Sequence, residues 1–259
     1  MLVIADNLNT RNKAYMEVVK SRNKEALSEF SKRLANADMI NVQCSLDGSG
    51  DEENFPWVVR IIHETTGKDI CLDSRNIKAL KNSILLCKNP PLINYVSATE
   101  PDEKEELLQL VADSGASLVI RATRATPPIS LEAKIQIIEE LLEMANATDI
   151  PNGRLFVDPS LVHIGRGIGQ KHLANSTECI KILKDLVEPP INTIAWISNV
   201  SVGMPLALRK KVEAAFFLYF SGAGLDAAMV DVLDENLKKA VYLVKSFKDE
   251  IVFSPSDIS

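Results

Sequence analysis

Six polar residues stand where short hydrophobic runs stop: Asn7, Asp73, Asn94, Asp158, Asn199 and Asp231. An ionised carboxylate only accepts hydrogen bonds, whereas an amide both accepts and donates. Asp73 and Asp158 with Asn94 and Asn199 therefore suit a flat, nitrogen-rich ring that carries several N–H donors. Groups for other chemistry are missing. The three histidines, His63, His163 and His172, are far apart, and no His-Glu-x-x-His, G-x-S-x-G elbow or strand-end lysine occurs. No metal is expected. Such a site binds and polarises a substrate that brings its own reactivity. Each residue alone also has a structural reading: Asp73 or Ser74 can cap the following helix, and Asp158-Pro159 is a common turn. Four of them at the ends of strands three, four, six and seven would ring one face of the fold.

The elements that would position them repeat along the chain. Strands are expected at 2–7, 39–44, 70–74, 92–97, 118–123, 155–159, 193–199 and 227–232, each followed by a segment of helical period. Strands three and seven are continuous apolar runs, as in parallel strands covered on both faces. Eight such units in 259 residues predict a single-domain α/β protein, a closed (β/α)₈ TIM barrel over 1–253 with a short tail at 254–259. Its active site would lie where the strands end. Ser130 is placed to cap a helix with the stripe Ile135, Ile138, Leu141 and Leu142. The glycine-rich stretch 161–171 is expected to be a mobile or tightly turned loop; it matches no phosphate-binding motif.

The net charge is -6 and no basic stripe runs along a helix, so neither nucleic acid nor an anionic membrane is an expected partner. The apolar runs are too short to span a bilayer. Met1 leads straight into the first strand without a signal-peptide pattern, so a cytoplasmic location is expected. Cys44, Cys71, Cys87 and Cys179 are scattered, without a CxxC, and suggest neither disulfides nor zinc.

A pterin has the donor pattern sought above: an exocyclic amine, N3–H and further ring N–H groups, with O4 and N5 left for the amides. The strings CLDSRNIKAL (71–80), LIN (92–94), FVDP (156–159), ISNVSVGMP (197–205) and GLDAAMVD (224–231) resemble the methyltetrahydrofolate:corrinoid/iron–sulfur protein methyltransferases. These are pterin-binding barrels related to dihydropteroate synthase and to the folate domain of cobalamin-dependent methionine synthase. The resemblance implies transfer of the N5-methyl of methyltetrahydrofolate to the cobalt of a corrinoid (cobalamin-type) cofactor, supplied by a corrinoid or corrinoid/iron–sulfur partner protein. It implies pterin contacts from Asp73, Asn94 and Asp158. Asn199 would be catalytic, bonding N5 as its charge changes. Asn9, Asn41, Gln43, Ser201 and Asp231 are further candidates.

The chain also departs from that pattern. Ala5-Asp6-Asn7-Leu8-Asn9 replaces a Gly-Glu-Arg/Lys-Ile-Asn stretch, Asn41 and Gln43 fall where Asp-x-Asn is usual, and Arg121 and Arg124 stand in the fifth unit in place of Leu-Thr-Met. The two arginines either hold an anionic glutamyl tail or pair with surface acids. Two alternatives follow. One is a pterin-binding paralogue without turnover or with another specificity. The other is dihydropteroate synthase, against which Asn7-Leu8-Asn9-Thr10-Arg11 lacks the expected Pro-Asp-Ser-Phe. The aromatic stretch AAFFLYF (214–220) covers more than one helix face and suggests a homodimer contact.

Overall fold

The computed structural model describes residues 1–99, 101–165 and 167–258. Its strands are β1 (Leu2–Leu8), β2 (Met39–Val42), β3 (Asp69–Asp73), β4 (Leu92–Ser97), β5 (Ser117–Arg121), β6 (Leu155–Asp158), β7 (Asn192–Trp196) and β8 (Ala227–Val230). They pair in parallel and in chain order, and β8 returns to β1 to close a TIM barrel. The first crossover carries two helices, α1 (Lys13–Lys20) and α2 (Lys24–Lys32), where one was expected. Asn12 and Asn23 each cap one of them and so split the segment. The later crossovers hold α3 (Asp51–Thr66), α4 (Ile77–Ile84), α5 (Pro101–Ser114), α6 (Leu131–Ala147), α7 (Gly169–Leu186) and α8 (Leu206–Gly222), and α9 (Glu235–Phe247) follows β8. Ser130 caps α6 by accepting from Ala133 N, as expected. Among the described residues no helix is long and apolar enough to cross a membrane.

Two apolar cores result. One lies between the sheet and the helices; the other fills the barrel with Ile4, Cys71, Leu92, Val119, Ile194 and Met229, flanked by Met39 and Phe156. Side chains two apart on a strand share a face. Two residues beyond six of these interior positions, the layer turns polar: Asp6, Asn41, Asp73, Asn94, Arg121 and Asp158 follow Ile4, Met39, Cys71, Leu92, Val119 and Phe156, whereas Trp196 follows Ile194. The sheet thus builds a hydrophobic plug with a polar cap at the C-terminal mouth.

Several expectations need correction. β7 stops at Trp196 rather than 199, and Ile197–Ser201 forms a 3₁₀ turn. Ile197 and Val200 are both fully buried, a spacing of three that suits 3₁₀ geometry, not a strand. Neither Asp73 nor Ser74 caps α4. Asn76 does, accepting from Ala79 N at 2.9 Å, so the Asp73 carboxylate is released from that structural duty. In the stretch 161–171, whose Arg166 lies outside the described residues, Gly169 packs so closely that a Cβ would meet the backbone carbonyls of His163 and Ile164. That glycine answers a tight turn. On α8, Phe216, Phe217 and Phe220 are buried inside the chain, while Leu218 and Tyr219 face outward.

Candidate functional site

At the C-terminal mouth lies a cavity of about 340 Å³, a size that accommodates a small heterocycle. Asp73, Asn94 and Asn199 line it together, and so do Asn9 and Gln43. Asp158 lies deeper. It is 1% exposed, beneath Arg121, and does not itself line the cavity. Its Oδ1 accepts from Ser160 N at 2.8 Å, so the turn reading holds for one oxygen. Among the described residues Oδ2 has no hydrogen bond, and it meets the Arg121 Nε at 3.2 Å.

The other polar groups are tied unevenly. Gln43 Nε2 donates to Asp73 Oδ2 at 2.9 Å, and Gln43 Oε1 accepts from the Thr10 hydroxyl. Asn94 is 3% exposed, and its Oδ1 is buried without a partner. The Asn199 side chain makes no hydrogen bond to the described residues, although it sits at the rim on the 3₁₀ turn. Burial, with the like charge of Asp6 nearby, pushes the Asp73 carboxyl up to about 7, against the stabilising pull of Asn41, Asn94 and Arg121. Burial also raises Asp6 and Asp158, opposed in each case chiefly by an arginine, Arg11 and Arg121 respectively. Asn41 Oδ1 in the same layer is likewise buried without a hydrogen bond, and orphaned buried acceptors are costly to leave without a donor. They make a receptor for N–H groups.

The remaining candidates fall elsewhere. Asn41 is fully buried and donates to Asp6 Oδ1 at 3.2 Å, supporting the layer from below. Ser201 donates to the buried Glu213, and Asp231 pairs with Lys210 at 2.9 Å and accepts from Asn7. Both belong to a neighbouring depression, and the Lys210 and Asn7 contacts hold Asp231 below its ordinary range despite burial. Asn7 bridges β1 to β8; its Oδ1 accepts from Val232 N.

Asp6, Arg11, Tyr95 and Trp196, which are not among the residues expected from the sequence, line the cavity together with Arg121, for which two roles were open. Arg11 bridges Asp6 Oδ2 and the Ser198 hydroxyl, each at 3.0 Å, beside Asn199. The Arg121 guanidinium lies 4.8 Å from the Tyr95 ring centre and 5.7 Å from that of Trp196, a cation between two aromatic faces. Arg124 pairs on the surface with Glu140. The signal for Asp6 and Arg121 was the step of two from Ile4 and Val119.

Comparison with known proteins bears on this site. The family described as pterin binding enzyme matches residues 37–231. Methylcorrinoid:tetrahydrofolate methyltransferase of Eubacterium limosum is 23% identical over 248 residues, covering 93% of this chain and 89% of that protein. Methionine synthase of Mycobacterium leprae is 24% identical over 169 residues, which are 62% of this chain but 14% of that longer protein. Among solved structures, dihydropteroate synthase of Yersinia pestis with a pterin–sulfa conjugate superposes with a TM-score of 0.69 at 18% identity, covering 96% of this chain and 94% of that one. The Xanthomonas albilineans enzyme in complex with 7,8-dihydropteroate gives 0.70 at 16%, covering 95% and 93%. At such identity the structural likeness speaks for the fold alone. The sequence match, however, spans well over half of the chain and takes in β2 through β8: this chain belongs to the pterin-binding enzyme family.

Proposed function

We propose that this protein is a methyltransferase that moves the N5-methyl group between tetrahydrofolate and the cobalt of a corrinoid carried by a partner protein. The methyltransferase relative that covers most of the chain supports this reading. The observation that carries it is the set of buried acceptors without hydrogen bonds in the polar layer, among them Asn94 Oδ1 and Asp158 Oδ2, beside a half-buried Asp73. A pterin edge brings the N–H donors such a set lacks. Asp73 would take N–H groups in its ionised form, and Asn94 can serve a donor or, through its amide nitrogen, a ring carbonyl.

Asn199 is then the group at N5. An amide free of hydrogen bonds to the described residues can donate or accept, so it can follow the nitrogen as its charge changes during transfer. The corrinoid would supply the cobalt that gives or takes the methyl group. Everything else here is binding and orientation by this chain. A homodimer through the outward face of α8, with Leu218 and Tyr219, belongs to the same proposal.

One observation favours a second reading, a pterin binder that has lost turnover: Arg121 already engages Asp158. Mixing the protein with methyltetrahydrofolate and a reduced corrinoid protein separates the two. Cobalt methylation, followed by absorbance, supports the enzyme. Tight tetrahydrofolate binding without methylation supports the binder.

A further inference from the structure

Arg121 and Asp158 sit opposite one another in the β5–β6 register. Their closest atoms, Nε and Oδ2, are 3.2 Å apart, yet both are buried and neither has an aligned hydrogen bond. Charge holds the contact. A guanidinium fully committed to a carboxylate would instead grip it with two parallel bonds. Arg121 lines the cavity and Asp158 does not, so the guanidinium covers the carboxylate from the ligand side. It rests there between the Tyr95 and Trp196 rings.

A guanidinium is one carbon bearing three nitrogens in a plane. The amine and N3–H edge of a pterin is the same fragment closed into a ring. Resting on the function proposed above, we infer that Arg121 is an internal stand-in for the substrate ring. It occupies Asp158 in the free protein and yields only to a ligand that brings its own guanidine-type donor edge. That makes Arg121 a specificity-determining residue. A heterocycle without paired N–H donors cannot replace it. The carboxylate is not left alone when Arg121 withdraws, because Lys134 remains behind it. Lys134 is fully buried and donates to Pro159 O at 2.6 Å, and its charge acts on Asp158.

Because the ring must first displace a competitor, the apparent affinity is reduced by the fraction of molecules with Asp158 uncovered. Arg121→Met should therefore bind tetrahydrofolate about tenfold more tightly by calorimetry. Methylguanidinium chloride at millimolar concentration should bind Arg121→Met and compete there with tetrahydrofolate. It should not bind the wild type or the Arg121→Met/Asp158→Asn double variant. Weaker or unchanged tetrahydrofolate binding by Arg121→Met, in a protein that binds the folate, would overturn the inference; so would absence of methylguanidinium binding. Methylguanidinium binding by Arg121→Met alone, with no folate binding by any form, would uphold the stand-in and remove the folate reading. Should Arg121→Met not fold, the wild type still decides. The Arg121 Nε–H resonance, shifted by the Tyr95 and Trp196 rings, should move when tetrahydrofolate is added, and an unmoved resonance contradicts the displacement.

Discussion

The two ends of this barrel treat most of their polar residues in opposite ways, with Asn152 Oδ1 an unbonded buried oxygen at the N-terminal end. At the N-terminal end, Asp38 Oδ2 accepts from Val3 N at 2.8 Å and pairs with Lys245, and Asp226 Oδ2 accepts from Thr193 N at 2.7 Å and from its hydroxyl, with Lys184 alongside. Arg154 there donates to the Val111 and Ala116 carbonyls. Those groups close the bottom by bonding strand ends to one another. At the C-terminal end, Asn94 Oδ1, Asp158 Oδ2 and Arg121 Nε are buried without hydrogen bonds, and burial and a neighbouring acid hold Asp73 up to about 7. Polar groups satisfied by the fold stabilise it; polar groups the fold leaves open wait for a ligand.

The largest effect expected to sharpen this contrast comes from the rim. Asn199→Ala should lower methyl transfer on the order of 10²–10³-fold, while tetrahydrofolate affinity stays within about threefold. Equal losses in turnover and affinity would remove its transition-state role. At the other end, Asp226→Ala should cost about 2 kcal/mol of unfolding free energy, read from urea midpoints, and leave ring affinity alone. A loss of affinity there would break the division between the ends.

Asp158→Asn places a donor where the ring needs an acceptor, and calorimetry should show binding weakened about tenfold. The smallest effect is one of pH. Asp73 titrates near 7 and accepts two donors only when ionised, so tetrahydrofolate affinity should rise severalfold from about pH 6 to pH 8. Stability runs the other way. A carboxyl whose folded pKa is raised carries no penalty below its unfolded value near 4, and the penalty grows as pH rises towards 7. Asp73→Asn should therefore shift the urea midpoint upward at pH 8 and leave it unchanged at pH 4.

How far the sequence reveals all this depends on which physical signal each feature leaves. The eight strands are legible because apolar runs with helical intervals leave few other ways to bury both faces of a sheet. Asp73, at the end of β3, and Asn94, inside β4, are legible because they stand in phase with the interior residues Cys71 and Leu92. Phase also misleads: the apolar run points to Asn7 as the polar end of β1, but the side chain facing the cavity is Asp6, one residue earlier, and a slip of one moves a strand residue to the opposite face. The 3₁₀ turn at Ile197–Ser201 was hidden because Ile197 and Val200 look like a strand locally, and only packing against the barrel fixes their spacing of three. The contact of Arg121 with Asp158 joins residues 37 apart and leaves no local pattern.

The central claim is that the open polar layer at the mouth is built for a pterin edge. It is tested most directly by calorimetric titration of tetrahydrofolate into the wild type and into the Asp73→Asn/Asp158→Asn double variant. Saturable binding to the wild type, lost from a double variant that still folds, is the predicted result. No binding to the wild type, or equal binding to both proteins, would contradict it.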